Sequence, residues 1–361
     1  MELGPALGGG RRRRTRRHAS ACALAVATAL ALAACGSSGS SPPSGGSSSH
    51  ASKLQVTTIG YALSGPANDG GYYQDQAQEI VKLGHQLGIK VIVDQNADPN
   101  SAAVLEDLAR QGAQVVIVDG SEFTPAMLGF ARDPSFSSTL PVMVSGDPPA
   151  NHTYATVGGN ELEAHFMGGV AAGLLLENAH RDTACDVAGL NVAFVQNAAK
   201  AMEQGLHYVN PHYHFLVTYT GDFNNSALAA SASNALISQG CYVLYPYLGG
   251  AIPAALNAAA HAHILSVATS YDRCGSTNPP IAMDILYNPA FFLPRLLQAL
   301  EKGAIHRGQQ WQLFSVGSNV GIGATICNPT PHELSVLAAV RQKLATGAIN
   351  VPALIGSDIQ G

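Results

Sequence analysis

The sequence predicts an α/β protein whose folded part forms two doubly wound parallel-sheet lobes, joined by a hinge and separated by a cleft. From Leu54 onward, short segments of strand-like composition alternate with longer segments whose apolar residues recur at helical spacing. This alternation is typical of parallel βαβ units. It runs through two consecutive series, which predicts two lobes. In doubly wound folds the ligand binds at the carboxyl ends of the strands, so we expect the binding site between the lobes.

The N-terminal residues have the pattern of an export signal. Six arginines within residues 11–17 precede an apolar segment from Ala19 to Ala34, like the basic head and apolar core of such signals. The segment is shorter than the about 20 apolar residues that span a bilayer. It ends in Leu-Ala-Ala-Cys at residues 32–35, which resembles a bacterial lipobox, where the cysteine is lipidated and becomes the mature N-terminus.

We therefore expect residues 1–34 to be a lipoprotein signal peptide and Cys35 to carry the lipid. Residues 35–53 are rich in Gly, Ser and Pro, a composition that predicts a flexible tether. The folded part is then exported and lipid-anchored to the outer face of the cell membrane. A plain secretory signal with an incidental cysteine is the alternative, and the clustered arginines also fit a twin-arginine export route.

The charge of the mature chain argues against nucleic acid as a partner. The full sequence has 19 basic and 24 acidic residues, and loss of the leader removes six arginines and Glu2. The remaining balance is about −10, whereas binding to phosphate groups needs a basic face. No later segment is apolar for long enough to span a bilayer, so the lipid is the expected contact with the membrane.

The first series of elements follows the tether. Its strand-like segments are Gln55–Gly60, Lys90–Asp94, Gln114–Val118, Pro141–Ser145 and Thr153–Val157. Apolar residues at helical spacing predict a helix over Tyr73–Leu87. A second helix is predicted over Ser101–Gln111, with Ser101 as its N-cap.

A long helical pattern over Glu161–Asn178 opens the second series. Its predicted strands are Asn191–Gln196, Phe215–Thr220, Tyr242–Leu248 and Ile264–Ala268, and its predicted helices are Ala199–Val209, Ser226–Ser238 and Ile252–Ala262. The later segments Ile281–Leu286 and Gln312–Ile322 are expected to cross back between the lobes. The predicted first lobe is therefore 54–158 plus about 281–316, and the second is 159–280 plus about 317–361.

Four cysteines follow Cys35, and an even number in an exported chain predicts two disulfides. In a lobe of flavodoxin-like order the first and third strands are neighbours. Cys185 precedes the first predicted strand of the second lobe and Cys241 precedes the third, so we expect these two to pair. Cys274 and Cys327 each follow a cleft-directed strand and form the other expected pair. This is one of three connectivities, free buried thiols are the alternative, and the lack of a CxxC pair argues against a cysteine zinc site.

Five short motifs occur in an order that matches a known family. They are Gly-Pro-Ala-Asn-Asp-Gly-Gly-Tyr-Tyr at 65–73, Gly-Ser-Glu-Phe at 120–123, Glu-Ala-His-Phe-Met-Gly-Gly at 163–169, Asn-Pro at 210–211 with Gly-Asp-Phe-Asn-Asn at 221–225, and Gly-Gly-Ala at 249–251. Behind a lipobox, they resemble the basic membrane protein (BMP) family of lipoproteins, the nucleoside-type substrate-binding proteins of ABC importers. The resemblance runs from about Val56 to about Asn328 and implies the type I periplasmic-binding-protein fold.

The resemblance implies a ligand site at the matched positions. The implied ligand-binding residues are Asn68, Asp69, Tyr72, Phe123, Asn225, Gly249 and Gly250. Carboxylate and amide oxygens accept hydrogen bonds from ring N–H or hydroxyl groups. The rings of Tyr72 and Phe123 are suited to sandwich a flat ligand face. Glycines at a helix start leave backbone N–H groups accessible.

Structural roles are the alternatives for the same residues. Asn68 and Asp69 also suit a cap on the following helix. Tyr72 suits the core of its lobe, and the glycine pair at 249–250 suits a tight turn. For Tyr72, truncation to Ala separates the two roles, because a core ring contributes stability and a stacking ring contributes affinity.

At two positions the sequence departs from the family pattern. Ala268 stands where the family has an aspartate that binds ribose hydroxyls, and the segment Ile281–Ile285 lacks the family's lysine. Asp272 and Asp284 are the candidates to replace these groups. We therefore expect free bases or other small polar solutes to compete well against nucleosides.

The expected function is that of a monomeric solute receptor, without a cofactor, that delivers a small-molecule ligand to the permease and ATPase subunits of an ABC importer. A ligand-sensing accessory lipoprotein without transport is one alternative. A hydrolase acting on a nucleoside-like substrate is another, with Asp69 and Glu122 as its candidate carboxylates. The sequence has no Gly-x-Ser-x-Gly elbow, His-Glu-x-x-His motif or phosphate loop, so we predict no catalytic residues. The His-x-His pairs at 212–214 and 261–263 are interpreted as surface histidines rather than metal ligands.

Overall fold

The structure is a computed structural model that describes residues 56–69, 71–145, 153–270, 272–317 and 321–356. The expected signal peptide, Cys35 and most of the tether lie outside these residues. In chain order the strands are β1 (Thr58–Ala62), β2 (Lys90–Asp94), β3 (Val115–Asp119), β4 (Leu140–Val144), β5 (Ala155–Gly159), β6 (Thr183–Ala188), β7 (His214–Tyr219), β8 (Val243–Tyr247), β9 (Leu265–Thr269), β10 (Met283–Tyr287), β11 (Gln310–Phe314) and β12 (Ile322–Ile326). The α-helices are α1 (Tyr72–Leu87), α2 (Ala102–Arg110), α3 (Thr124–Arg132), α4 (Glu161–Ala179), α5 (Ala193–Val209), α6 (Ser226–Ser238), α7 (Ile252–His261), α8 (Leu293–Glu301), α9 (Pro331–Ala345) and α10 (Val351–Ile355).

The strands form two sheets with the same internal order. The first sheet runs β2-β1-β3-β4-β5-β11 and the second runs β7-β6-β8-β9-β10-β12. Neighbouring strands are parallel except β10 and β12, which pair antiparallel. Five strands in the order 2-1-3-4-5 make a flavodoxin-like doubly wound lobe, and the chain builds two of them. The predicted fold class is confirmed.

Apolar strands covered on both faces form the centre of each lobe. All five residues of β3 and of β4 are buried, as are all six residues of β6. Parallel strands with helices on both sides show such continuous burial, because neither face meets water. In the second lobe α4 packs tightly on α5. A Cβ at Gly169 would lie 1.9 Å from the backbone oxygen of Met202, so this close approach requires glycine.

The predicted strand Asn191–Gln196 is wrong. The first strand of the second lobe is β6, and most of the predicted strand belongs to α5, whose buried residues Val195, Ala198 and Met202 recur at helical spacing. Asp186 stands in the middle of β6 and interrupts its apolar pattern, although its side chain is 0% exposed. A short apolar run does not by itself distinguish a strand from the start of a buried helix.

The strand β10 also differs from the expected lobe boundaries. The segment from about residue 281 was expected to return to the first lobe, but β10 pairs with β9 and β12 in the second sheet. The chain therefore crosses back after Tyr287, and α8 then packs near α1. It crosses a last time between β11 and β12, which lie in different sheets.

Both expected disulfides are present, Cys185–Cys241 and Cys274–Cys327. Cys185 lies within β6 rather than before the first strand of the lobe. β6 is still a neighbour of β8, and Cys241 directly precedes β8, so the strand order predicts the right partner. Among the described residues, no helix combines the length and the apolar character needed to cross a membrane.

Candidate functional site

A cleft lies where the carboxyl ends of the two sheets meet. It is lined by Tyr72, Tyr73, Gly120, Glu122, Ser145, Glu161, His165, Phe194, Phe223, Tyr247, Leu248, Gly249, Thr269 and Tyr287. Each of these residues lies at the carboxyl end of a strand, in the loop that follows, or in the first turns of the next helix. The empty space amounts to about 610 Å³, counting the part that opens to solvent.

A buried hydrogen-bond network positions Tyr72 at the wall of the first lobe. Asp119 ends β3 and is 1% exposed. Gln76 donates to its Oδ2 over 3.0 Å, and the Tyr72 hydroxyl donates to its Oδ1 over 3.4 Å. Tyr61 in turn donates to Gln76 over 2.6 Å. Burial, followed by the charge of Glu122, raises the pKa of Asp119 to about 8.

A second set of hydrogen bonds positions Glu122 on the same wall. The Ser64 hydroxyl donates to Glu122 Oε1 over 2.8 Å. Because the Ser64 hydroxyl proton is used in that hydrogen bond, Ser64 can only accept from Tyr73. The Tyr73 hydroxyl therefore donates to Ser64 Oγ over 3.0 Å. Burial raises the pKa of Glu122. Tyr73 is 3% exposed and belongs to the core of the lobe as well as to the wall.

Glu161 and His165 occupy successive turns of α4, just after the chain crosses to the second lobe. The carboxylate of Glu161 accepts a short hydrogen bond from the Tyr247 hydroxyl. His165 Nδ1 lies 2.9 Å from the backbone oxygen of Glu161, which can only accept, so Nδ1 carries the proton. Nε2 then accepts from the Tyr245 hydroxyl over 2.9 Å. Burial lowers the pKa of His165 to about 4, and the imidazole is neutral.

Aromatic rings form much of the remaining wall. Phe194 and Phe223 stack on each other in the second lobe, with ring centroids 6.4 Å apart. Tyr72, Tyr247 and Tyr287 converge from different elements. Burial raises the pKa of Tyr72 well above its ordinary value, and nearby acidic groups, among them the phenols of Tyr287 and Tyr247, add to the shift.

The lobes approach closely at Gly249. A Cβ there would lie 2.7 Å from Tyr73 Cε2 of the first lobe and 2.8 Å from Asn224 Oδ1 of the second. Asn224 Nδ2 donates to the Ser64 backbone oxygen over 3.5 Å, and its Oδ1 accepts from the Gly250 N–H over 2.8 Å. This edge of the cleft therefore has no room for a side chain at residue 249.

Two of the nine predicted ligand-binding residues, Tyr72 and Gly249, line the cleft. The backbone N–H groups of Gly249 and Gly250, which were expected to bind a ligand, already donate to acceptors within the protein. Gly249 donates to the Phe223 backbone oxygen over 2.9 Å, and Gly250 donates to Asn224. The glycine pair thus forms a turn that allows the two lobes to approach.

Asp69 caps α1 and does not line the cleft. Its carboxylate accepts hydrogen bonds over 2.9–3.2 Å from the backbone N–H groups of Gly71, Tyr73 and Gln74. Asn68 is exposed and also lies outside the cleft. The structural alternative, capping of the following helix, therefore describes Asp69. Both oxygens of Asp69 accept hydrogen bonds of that cap. Glu122, the other candidate carboxylate of a hydrolase, accepts from Ser64 instead, so the two acids have separate partners.

The predicted sandwich of Tyr72 and Phe123 is wrong. Phe123 is 0% exposed and packs in the core of the first lobe. Gly120 has a φ of 98°, and the 3₁₀ turn Ser121–Phe123 that follows it includes both a core residue and a cleft residue, Glu122. A single turn of chain separates the two environments, which the motif alone does not specify.

The other predicted polar residues also lie elsewhere. Asn225 is exposed and caps α6, with its side-chain oxygen accepting from the N–H groups of Ala227 and Leu228. Asp272 is exposed and accepts from the Cys274 N–H over 2.8 Å. Asp284 is 0% exposed within β10. None of the three lines the cleft.

At the end of β9, the residue that faces the cleft is Thr269. Ala268, which stands where the family has its ribose-binding aspartate, is 0% exposed. Thr269 is 8% exposed and lines the cleft with a hydroxyl instead of a carboxylate. The expected replacements, Asp272 and Asp284, do not reach this position.

Sequence reasoning missed several cleft residues, chiefly Glu161, His165, Tyr247 and Tyr287. One signal was available, because the last residue of each strand in a doubly wound lobe lies at the ligand edge. Tyr247 and Tyr287 end their strands in this way. Glu161 and His165 lie instead in the first two turns of α4, after β5. Whether such helix residues face the cleft depends on how α4 packs.

Other clusters of potential ligand atoms lie away from the cleft. The histidines of the pairs at 212–214 and 261–263 are exposed, in keeping with their interpretation as surface residues. Among the described residues, one group of metal-binding side-chain types converges, namely Cys274, Asp284 and Cys327. Its two sulfurs form a disulfide and are not thiolates, so the group is not a metal centre.

Comparisons with known proteins agree with this architecture. A family model described as "ABC transporter substrate-binding protein PnrA-like" (Bmp) matches residues 56–281. No curated protein matches the chain. A solved ABC transporter solute-binding protein from Aeropyrum pernix K1 is 15% identical with a TM-score of 0.68, covering 81% of this chain and 92% of that one. A second, from Conexibacter woesei DSM 14684, is 20% identical with a TM-score of 0.62, covering 83% and 99%.

The Caulobacter myo-inositol binding protein, solved with myo-inositol bound, is also similar. It is 16% identical with a TM-score of 0.56, and the match covers 79% of this chain and 97% of that one. At these identities the likeness concerns the fold, which is that of type I periplasmic binding proteins. The family model covers more than half of the chain and most of the residues that line the cleft. The protein therefore belongs to the Bmp family of ABC transporter substrate-binding proteins.

Proposed function

We propose that this protein captures a small polar ligand in the cleft between its lobes and delivers it to an ABC importer. The observation that carries the proposal is the convergence of aromatic rings and hydrogen-bond acceptors from both lobes at the strand ends, where doubly wound folds bind ligands. Family membership supports the transport role. The proposed partners are the permease and ATPase subunits of the importer, and such substrate-binding proteins work outside the cytoplasm.

The proposed ligand class is that of nucleosides, nucleobases and similar small polar solutes. Rings such as Tyr72 and Phe223 suit a flat or apolar ligand face, and the carboxylates of Glu122 and Glu161 suit hydrogen-bond donors. The family's ribose carboxylate has no counterpart at Thr269 or Ala268. A ribose is therefore expected to add less affinity here than in receptors that have that carboxylate.

Family membership favours a receptor over an enzyme, and an enzymatic role would have to use Glu122, whose pKa is raised by burial, rather than His165. Catalysis by general acid and base needs a group that exchanges protons near the working pH. His165 is the described imidazole in the cleft, and both of its nitrogens are committed to protein hydrogen bonds. Its pKa of about 4 also keeps it neutral. A hydrolytic assay against nucleosides, with product formation above background as the contrary result, tests this point.

Lipid anchoring at the outer face of the cell membrane is the second part of the proposal, and its support is the sequence at residues 32–35. The test is the mass of the mature N-terminus and its partition between detergent and aqueous phases. We expect an acyl modification on Cys35 and recovery in the detergent phase, both lost in Cys35→Ala. Wild-type protein in the aqueous phase without an acyl group would contradict the anchor and leave the binding function untouched.

The binding function is tested with the full chain, purified in a non-ionic detergent, by thermal melting and calorimetry against nucleosides, nucleobases and polyols. A ligand that binds only the folded state raises the free energy of unfolding, and with it the melting temperature. At a ligand concentration of 100 times Kd the gain is about 2.7 kcal/mol. The effect should disappear in Tyr72→Ala and persist in His212→Ala, which changes an exposed side chain outside the cleft. Failure of every probe to bind would contradict the proposal.

A further inference from the structure

The edge strand β2 of the first sheet directs a row of backbone groups outward. It stands last in the sheet order, and among the described residues it pairs with β1 alone. The Lys90 N–H and the Asp94 C=O both bond to backbone groups of residues that flank β1, over 2.8 Å each. Bonding direction alternates along a strand, so Val91 and Val93 direct their N–H and C=O groups away from β1. Such an edge is a template for pairing with another chain.

The sequence of β2 is complementary to itself in the antiparallel direction. It reads Lys-Val-Ile-Val-Asp from residue 90 to residue 94. A two-fold axis at Ile92 places Lys90 of each copy opposite Asp94 of the other, and Val91 opposite Val93. Opposite charges that face each other across neighbouring strands stabilise the pair, and like charges destabilise it. Parallel pairing in the same register would align like charges, so the sequence favours the antiparallel arrangement.

The hydrogen-bonding pattern of the edge agrees with this register. In an antiparallel ladder, opposed residues alternate between pairs that exchange both N–H···O bonds and pairs that exchange none. With the axis at Ile92, each Val91–Val93 pair is of the first kind, as their outward N–H and C=O groups require. The Ile92–Ile92 and Lys90–Asp94 pairs are of the second kind, whose Cα atoms approach to about 4.5 Å. The opposite charges are therefore close together.

Both charged side chains of β2 lack a partner of opposite charge within the described part of the chain. The ion pairs there join Lys82 to Glu79 on α1 and Arg110 to two acids of α2. Neither Lys90 nor Asp94 takes part in one. Lys90 is exposed and Asp94 is half-buried. A two-fold contact along β2 supplies each of them with an opposite charge.

An apolar side chain of α1 borders the same edge. Gln76 faces β3, where it donates to Asp119. Gly84 faces β2, because a Cβ there would lie 2.5 Å from Val91 Cγ2. Val81 lies further around the helix in the same direction, beyond β2, and is 36% exposed. Contact with a second copy at this edge removes apolar surface of Val81 from water.

We infer that β2 is a dimer interface, at which two copies of this chain pair their first sheets antiparallel about a two-fold axis at Ile92. A contact of this kind is isologous, because the same surface serves both copies. The inference goes beyond the proposed function, since no residue of β2 lines the cleft. It replaces the monomer expected from the sequence.

A disulfide across the axis detects the pairing. Ile92→Cys places two thiols opposite each other, and the Cα spacing of about 4.5 Å lies within the range that a disulfide spans. The full chain, purified in a non-ionic detergent, is treated with a mild oxidant that takes up the two electrons of the thiol pair. We expect most of the chain to run as a dimer without reductant and as a monomer after reduction.

The control for random collision is Lys200→Cys, which introduces a thiol at an exposed position of the second lobe. It is expected to give little dimer under the same conditions. A yield of dimer from Ile92→Cys no higher than that from Lys200→Cys would overturn the inference.

Charge reversals test the register. Lys90→Glu and Asp94→Lys each place like charges opposite each other, so we expect each variant to be monomeric on its own. A mixture of the two restores opposite charges in both pairs and is expected to form mixed dimers, as is the double variant with itself. Sedimentation equilibrium in density-matched detergent gives the mass, and Lys200→Glu, expected to dimerise like the wild type, is the control. A monomeric wild type, or no rescue in the mixture, would overturn the inference.

Proline at the outer edge separates pairing from folding. Val93→Pro removes an outward N–H and leaves the bonds to β1 in place. Val217→Pro is the matched control, because β7 ends the second sheet as β2 ends the first, and Val217 has the same position in its strand as Val93. Melting curves confirm that both variants are folded. We expect Val93→Pro alone to be monomeric, and a dimer as stable as that of Val217→Pro would overturn the inference.

Discussion

The two lobes share a strand order, so equivalent positions of their walls can be compared directly. The first helix of the first lobe begins with Tyr72 and Tyr73, whereas the corresponding helix of the second lobe presents Phe194. After the third strand the first lobe presents Glu122 and the second presents Leu248. The first lobe thus supplies hydroxyls and a carboxylate where the second supplies hydrocarbon.

This difference shows how a repeated scaffold forms an asymmetric site. Each lobe directs its strand ends to the cleft, but the polar network of the first lobe extends inward through Asp119 and Gln76. The polar groups facing it come mainly from the crossover at Glu161 and from the strand end at Tyr247. One wall therefore presents a polar network that reaches into its lobe, and the other combines the polar groups of Glu161 and Tyr247 with apolar rings such as Phe194. The following changes test that division, from the largest expected effect to the smallest.

Substitution of the neighbours Tyr73 and Tyr72 is expected to impair different properties, stability for Tyr73 and ligand affinity for Tyr72. Tyr73→Ala removes a ring that is 3% exposed, and we expect it to lower the free energy of unfolding by about 3–5 kcal/mol. Tyr72→Ala should instead weaken ligand binding about tenfold or more, with a smaller loss of stability. Melting temperature and Kd are measured for both variants. An equal loss of stability in both would assign Tyr72 to the core rather than to the wall.

Closure of the lobes is tested at Gly249. In Gly249→Ala the new methyl group would lie 2.7 Å from Tyr73 Cε2 and wedge the two walls apart. Overpacking of this kind typically costs about 1–3 kcal/mol, and we expect most of it to appear as a loss of affinity. Gly250→Ala is the matched control, because its nearest contact would be 3.1 Å, with Asn224 Oδ1. Equal affinities for the two variants would show that closure does not depend on this contact.

Asp69 separates a helix cap from a ligand contact. Its carboxylate accepts from three backbone N–H groups at the start of α1. Asp69→Ala should lower stability by about 0.5–2 kcal/mol, the usual range for loss of such a cap, with Kd unchanged within twofold. Asn68→Ala, an exposed neighbour, serves as the control. A tenfold loss of affinity in Asp69→Ala would return Asp69 to the binding site.

The smallest expected effect concerns a buried acid of the second lobe. Burial raises the pKa of Asp186 to about 8, and the nearby N–H of Tyr247 offsets this only in part. Since the folded state favours the protonated form, its stability is full below about pH 4 and declines as pH rises towards about 8. Asp186→Asn removes this dependence. A pKa of about 8, against about 3.9 in the unfolded chain, bounds the effect at about 5 kcal/mol between pH 4 and pH 8. Because relaxation and water entry reduce the cost of a buried charge, we expect a gain of about 1 kcal/mol at pH 8, roughly 2–4 °C, and none at pH 3.5.

The first lobe also has a buried acid whose pKa is raised to about 8, Asp119, although it ends the third strand of its lobe rather than lying within the first. Its oxygens accept from Gln76 and Tyr72, so Asp119→Asn disturbs a network that Asp186→Asn does not. We expect no gain in stability from Asp119→Asn at pH 8. A gain equal to that of Asp186→Asn would show that the network of the first lobe contributes little.

The sequence by itself determined the features that depend on local pattern and on strand order. Alternating strand and helix patterns predicted two doubly wound lobes, because the period of apolar residues reflects which face of each element is buried. Strand order predicted the partners of Cys185 and Cys241, even though the predicted position of the first strand was wrong. The loop that begins α1 likewise predicted a cleft position for Tyr72.

Only the tertiary structure decided which side chains face the cleft. Phe123 and Glu122 are adjacent, yet one is core and the other is wall, because a single 3₁₀ turn directs them to opposite environments. Glu161 reaches the cleft because it begins α4, which packs against β10 and β12 of the second sheet. Local patterns specify the burial of a residue within its own element. The composition of a site between two lobes depends on how distant elements are brought together, which no local pattern contains.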